Sequence, residues 1–219
     1  MLLTCLHNIE SIVAYSASLS NPTLSVTHDM TALQSDIKQQ RLDSIIGIAR
    51  RLFEQSGYEH VGVREICQAA GLSPTQLYRL GVSKQDLLAE VILRVNQHQI
   101  DCIKPFSTKG FKSAQTYIEK YLLRLYQADI DIKGIRAEGA AFGWKWTGKY
   151  EALITEQVFQ LIKPIADALT YDQYDAIHAR CYAIWSLYYV GYRHAVMNNG
   201  DAQSCLDGIK PSLALCLKK

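Results

Sequence analysis

The sequence predicts an all-α protein in which a short three-helix unit precedes a longer helical one. Apolar residues recur at helical spacing in segment after segment, as at Leu42, Ile45, Ile46, Ala49, Leu52 and Phe53. The alternation expected of half-buried strands is scarce. Helix-breaking residues are few, with 5 prolines and 13 glycines in 219 residues.

Residues 1–35 carry no sustained period, are rich in Ser, Thr and Asn, and read as a disordered or weakly helical leader. Met30 stands just before the first strong period and is a candidate for the true start of translation. The first helix carries the Leu42–Phe53 stripe and stops at Gly57. A second helix is expected from Val63 to Ala70, burying Val63, Ile66, Ala69 and Ala70, and Gly71 breaks the chain after it. Ser73 then offers an N-cap, Pro74 fills the first helical position, and Gln76 completes a capping box. After a turn at Gly81, Ser83 and Asp86 form a second capping box. The helix from Lys84 to Cys102 follows, with Leu87, Leu88, Val91, Ile92 and Val95 on one stripe. Further helices are expected over 111–128, 131–142, 150–169, 173–198 and 202–217, marked or interrupted by Gly110, Gly134, Gly148, Gly200 and Pro211. The expected division is a leader at 1–35, one domain at 36–98 and another at 99–219.

Composition excludes more than it assigns. Hydrophobic residues at 48% and charged residues at 20% rule out wholesale disorder. No apolar run is long enough for a membrane span. Met1–Ser20 lacks the basic start of a signal peptide, and His7, Asn8 and Glu10 break its apolar part. Six cysteines without paired spacing fit a reducing, cytoplasmic setting rather than a disulfide framework. A net charge of +2 points to no partner, but residues 38–84 hold seven basic groups against four acidic ones. That excess permits phosphate contacts.

Two short helices joined at Gly71 and resting on a longer one form a helix-turn-helix. Cys67 is small enough for the helix crossing, Ile66, Leu72 and Leu77 face the shared core, and Thr75, Gln76 and Arg79 face outward. From Ile45 to Leu88 the order of pieces is specific: Ala49, Leu52-Phe53, Gly57-Tyr58, Val63-Arg64-Glu65-Ile66, Ala70-Gly71-Leu72-Ser73, Leu77-Tyr78, Ser83-Lys84 and Leu87-Leu88. This ungapped block resembles the DNA-binding domain of the TetR/AcrR family of bacterial repressors.

The resemblance implies an N-terminal three-helix helix-turn-helix domain plus a C-terminal helical effector and dimerisation domain. It implies double-stranded DNA with a palindromic operator as the partner. By the same resemblance, Tyr78 and Lys84 hold phosphates on either side of the groove, and Arg64 clamps the backbone. Thr75, Gln76 and Arg79, on the helix opened by Ser73, face the major groove, while Lys38 and Arg41 reach phosphate from the first helix. Three departures stand out: Val61-Gly62 where the family has a Ser or Thr, Thr75 where it has Gly, and Gly81 where it has an aromatic.

In the C-terminal part, residues 181–196 are apolar almost all round, so that helix must meet a second surface besides its own core. With the resemblance, this implies a homodimer through helices at about 173–198 and 202–217. Trp144, Trp146, Tyr150, Trp185, Tyr188, Tyr189 and Tyr192 are candidate walls of a pocket for a small apolar or aromatic effector, with Arg136 and Glu138 as polar contacts. The pairs His98/Cys102 and His178/Cys181 lack the further ligands of a zinc site, so no metal is expected. No catalytic constellation, cofactor motif or phosphate loop appears, so no enzyme activity is expected. The expected function is a transcriptional repressor released from its operator by the effector. The alternative is a nucleoid-associated adaptor of the same fold that binds a protein partner and no small ligand.

Overall fold

A computed structural model describes residues 29–104, 106–132, 135 and 148–219, and the described residues contain helices and no strands. In chain order the helices are α1 (Asp29–Ser56), α2 (Val63–Ala69), α3 (Pro74–Arg79), α4 (Lys84–Asp101), α5 (Ala114–Ile130), α6 (Gly148–Tyr171), α7 (Ile177–Met197) and α8 (Ala202–Cys216). The leader before residue 29 and most of the helix expected over 131–142 lie outside the described residues, as do Arg136, Glu138, Trp144 and Trp146.

Two hydrophobic cores organise the chain. The first gathers Ile45, Ile46, Ala49 and Phe53 of α1, Ile66 and Cys67 of α2, Leu77 of α3, and Leu87, Leu88, Val91, Ile92 and Val95 of α4. The second joins Ile118, Leu122, Leu125 and Tyr126 of α5 to Leu161 and Ile165 of α6, with Ile184, Trp185 and Tyr188 of α7 and Cys205, Ile209 and Leu213 of α8. Both cores lean on α4, whose last turn places Ile100 against the second. That helix is continuous across the boundary expected near residue 98.

Polar contacts tie the halves together. Tyr150 Oη donates to Glu90 Oε1 at 3.1 Å, and Gln157 Nε2 donates to the Leu93 carbonyl at 2.9 Å, so α6 is fastened to the outer side of α4. Arg94 of α4 pairs with Asp43 of α1.

Several elements differ from the sequence reading. α1 reaches back to Asp29, where mixed polar and apolar residues give no sustained period to read. In α2, Val63 is 37% exposed and Ala69 is also exposed, while Cys67 takes the buried place beside Ile66. A helix of fewer than two full turns offers several equally good stripes, and packing selects among them. Pro211 lies inside α8 without ending it. The burial of Ile209 and Leu213 on either side offsets the lost backbone bond, which costs about 3 kcal/mol.

Candidate nucleic-acid interface

The second short helix is built by local chemistry. Ser73 is extended at φ −84° and ψ 154°, Pro74 sits at the first helical position, and the capping box with Gln76 closes in both directions. Ser73 Oγ accepts from the Gln76 N–H at 3.2 Å, and Gln76 Oε1 accepts from the Ser73 N–H at 2.8 Å. Gly71 before it has φ +63°, a left-handed conformation that an L side chain rarely adopts. Gly81 after it has φ +74°, which explains a glycine where the resembled family has an aromatic. Leu80 and Val82, on either side of this glycine, pack against the first core.

Leu77 anchors α3 with 2% of its surface exposed. Around it Thr75, Gln76, Tyr78 and Arg79 all face solvent, and Tyr78 is 85% exposed. The Tyr78 ring therefore contributes almost no packing to the fold. Gln76 is partly committed, because its side-chain oxygen serves the cap. Bidentate reading of adenine needs that oxygen as well as the amide nitrogen, so the groove-facing role expected of Gln76 competes with the cap.

Lys84 opens α4 with its Nζ 4.0 Å from the centre of the Tyr58 ring. Tyr58 packs in turn on Phe53 at 5.3 Å, so the ammonium is placed by the first core. Ser83 and Asp86 form the expected capping box at the same helix start. Arg64 is exposed at the start of α2, whose N-cap Gly62 supplies no side-chain bond, in line with the missing hydroxyl. Lys38 and Arg41 are exposed on α1. Val61 is buried in the first core, so a polar residue there would lose packing.

The expected effector walls behave differently. Trp185, Tyr188 and Tyr192 are buried to within 4% of full coverage, and Tyr150 is 8% exposed and held by Glu90. Tyr188 stacks on Tyr126 at 4.6 Å and on Trp185 at 5.0 Å, and Tyr189 meets Trp185 edge-on at 5.7 Å. Trp185, Tyr188 and Tyr189 fill space by touching one another. Burial and the neighbouring Glu90 both push the Tyr150 hydroxyl upward, so it stays a neutral donor.

The sequence reading missed two features. Asp129 is 1% exposed, and its carboxylate accepts from Gln99 Nε2 and from the Tyr188 hydroxyl, joining α4, α5 and α7. A cavity of about 400 Å³ lies between the end of α4, the 102–113 connection and α5. Residues 30 and 59 positions apart meet at Asp129, a separation to which local periodicity is blind. Among the described residues no group of three or more His, Cys, Asp or Glu side chains converges as a metal site would. No described helix is long and apolar enough to cross a membrane.

Residues 45–91 match the family described as "Bacterial regulatory proteins, tetR family". No curated protein sequence matches the chain. Several solved structures share its fold, three of which illustrate the likeness. The transcriptional regulator FadR from Bacillus subtilis, in complex with stearoyl-CoA, superposes with a TM-score of 0.61 at 15% identity, covering 80% of this chain and 97% of that one. A TetR transcriptional regulator from a Rhodococcus species gives 0.58 at 15% identity, covering 83% and 97%. A TetR-family regulator from Mesorhizobium loti gives 0.57 at 18% identity, covering 81% and 97%. The helix-turn-helix segment is therefore similar to that of the tetR family of bacterial regulatory proteins, and the described chain has the all-helical fold of solved regulators of that family.

Proposed function

We propose that this chain is a sequence-specific DNA-binding transcriptional regulator that acts as a homodimer on a palindromic operator. The observation that carries the reading is the solvent-facing side of α3, where Thr75, Tyr78 and Arg79 are exposed around a single buried anchor, Leu77. Arg79 suits guanine in the major groove. Tyr78 and Lys84 suit phosphates on the two flanks, and Arg64, Lys38 and Arg41 add backbone contacts. Ser73 takes part through the cap that sets the pitch of α3.

The dimer reading rests on α7 and α8. These helices pack on one another, yet Val190, Met197 and Leu215 stay 60%, 72% and 63% exposed. Apolar side chains on adjoining helices suit an isologous four-helix interface. Repression with release by a small effector is the finer part of the proposal. The related fold that carries stearoyl-CoA supports a small-molecule effector, and so does a cavity of drug-molecule size in this chain. The adaptor alternative would need no such cavity.

Genome-wide mapping of bound DNA, followed by binding to the recovered site, tests the proposal. Exchanging Tyr78→Ala and Lys84→Ala together is expected to weaken operator binding at least about tenfold and to flatten its salt dependence. Unchanged affinity in a folded double variant rejects the docking.

A further inference from the structure

We propose that the cavity between α4 and α5 binds a small amphiphile: an apolar body carrying an anionic head, carboxylate or phosphate. The inference rests on the effector part of the regulator reading and gives it a site and a chemistry. The cavity of about 400 Å³ falls within the range of small-ligand sites, roughly 300–1,000 Å³. Its wall divides by chemistry. Ile103, Phe111, Tyr117, Tyr121 and Leu125 offer an apolar back, while Lys104, Lys109, Lys112, Lys120 and Arg124 offer five positive charges. No acidic residue lines it. In a chain with 23 basic and 21 acidic residues, a concave surface with five charges of one sign and none of the other is a strong local bias. Clustered like charges repel one another, and an incoming anion relieves that repulsion.

The rim is held in place. Phe111 sits against Phe106 at 5.6 Å and against Tyr171 at 5.1 Å, and Phe106 meets Tyr117 at 5.1 Å, so the connection carrying three of the lysines is pinned to the second core. Gly110 turns at φ +74° between Lys109 and Lys112. Arg124 Nη2 donates to the Cys102 carbonyl at 2.8 Å, which fixes its guanidinium at the end of α4. None of the four lysines forms an ion pair with another described residue. Gln99 closes the inner end and is hydrogen-bonded to Asp129, which Tyr188 also grips. A ligand that presses on Gln99 therefore touches α4, α5 and α7 together.

The test is calorimetric titration of the full chain with decyl phosphate, decanoate, decanol and inorganic phosphate, each below its aggregation limit. Binding of at least one anionic amphiphile is expected to be about tenfold or more tighter than that of decanol, and tighter than that of inorganic phosphate. The two anionic probes rank phosphate against carboxylate as the head. Lys109→Gln with Lys112→Gln should weaken that binding roughly tenfold, and Ala128→Trp, which fills an exposed edge of the cavity, should weaken all amphiphiles. Neutralising Lys163 and Lys210, which lie outside the cavity, should change nothing.

Equal binding of decanol, equal binding of inorganic phosphate, or equal loss in the Lys163/Lys210 variant each overturns the proposal. So does loss of DNA affinity in the Lys109/Lys112 variant with amphiphile binding intact, which would make the lysines a phosphate-backbone contact. The titrations contain no DNA, so their failure leaves the helix-turn-helix reading standing, and failure of the operator assay leaves them standing.

Discussion

Ser73 and Gln76 hold each other: each side chain accepts the other's backbone N–H, at 3.2 and 2.8 Å. α3 is only six residues long, too short to persist without such a cap. Ser73→Ala should cost roughly 1 kcal/mol of stability, typical of a lost N-cap. Operator affinity should fall by a larger factor than that figure alone implies, because the recognition surface itself frays. Chemical denaturation alongside DNA titration checks this. An unchanged affinity with the expected stability loss would show that DNA re-forms the helix at no cost.

Gly191 lets α7 and α8 approach closely. A β-carbon added there would stand 2.6 Å from the Cys205 carbonyl oxygen, 2.7 Å from Tyr126 Oη and 2.8 Å from an Ile209 methyl. Two of these atoms belong to α8, so relief requires moving that helix. Gly191→Ala should destabilise the chain by about 1–3 kcal/mol despite the better helix propensity of alanine. Gly208→Ala, on α8 with open space around it, should be neutral or slightly stabilising. Urea unfolding of the two variants side by side decides the matter.

Thiol chemistry should divide the cysteines sharply. Burial pushes Cys181 and Cys205 up to about 11, whereas Cys102 is exposed at the cavity rim. In a Cys5→Ser background, an aromatic disulfide reagent at neutral pH should label Cys102 quickly. Cys181 and Cys205 should stay unlabelled until denaturant is added. Mass mapping of labelled peptides over time provides the readout, and prompt labelling of Cys205 in the native chain would contradict the packing of α8.

Asp172 links the α5 start to the chain end, accepting from the Ala114 N–H at 2.8 Å and from Lys219 Nζ at 2.9 Å. The Ala114 N–H, and after it Lys219, lower its folded value below the ordinary 3.8. A carboxylate lowered on folding contributes stability that is fully present above the unfolded value and is lost as pH falls through the folded one. Asp172→Asn should therefore be less stable than the parent near pH 7, and the gap should close as pH falls below about 4. Denaturation midpoints of both proteins at several pH values test the sign.

Local chemistry made the N-terminal part legible. Ser73, Pro74 and Gln76 lie within four positions of one another, as do Ser83 and Asp86, so their caps could be read without the rest of the chain. α5 and α8 fell within a few residues of their expected bounds, because Ile118, Leu122 and Leu125, or Cys205, Ile209 and Leu213, make unambiguous stripes. Faces were harder. α7 is apolar almost all round, and only its partners decide which of its faces is buried and that Trp185 stacks on Tyr188. The cavity itself lies under a connection whose lysines, read along the chain, look like ordinary solvated charges.

The unbroken course of α4 has an energetic consequence. Its 18 residues make a rod about 27 Å long, with Leu87 and Leu88 seated in one core and Ile100 against the other. Melting either half strips the shared rod of support, so the described halves should come apart as one cooperative unit. A scanning calorimetry trace with a single peak, and a van't Hoff enthalpy equal to the measured heat, is the signature to expect.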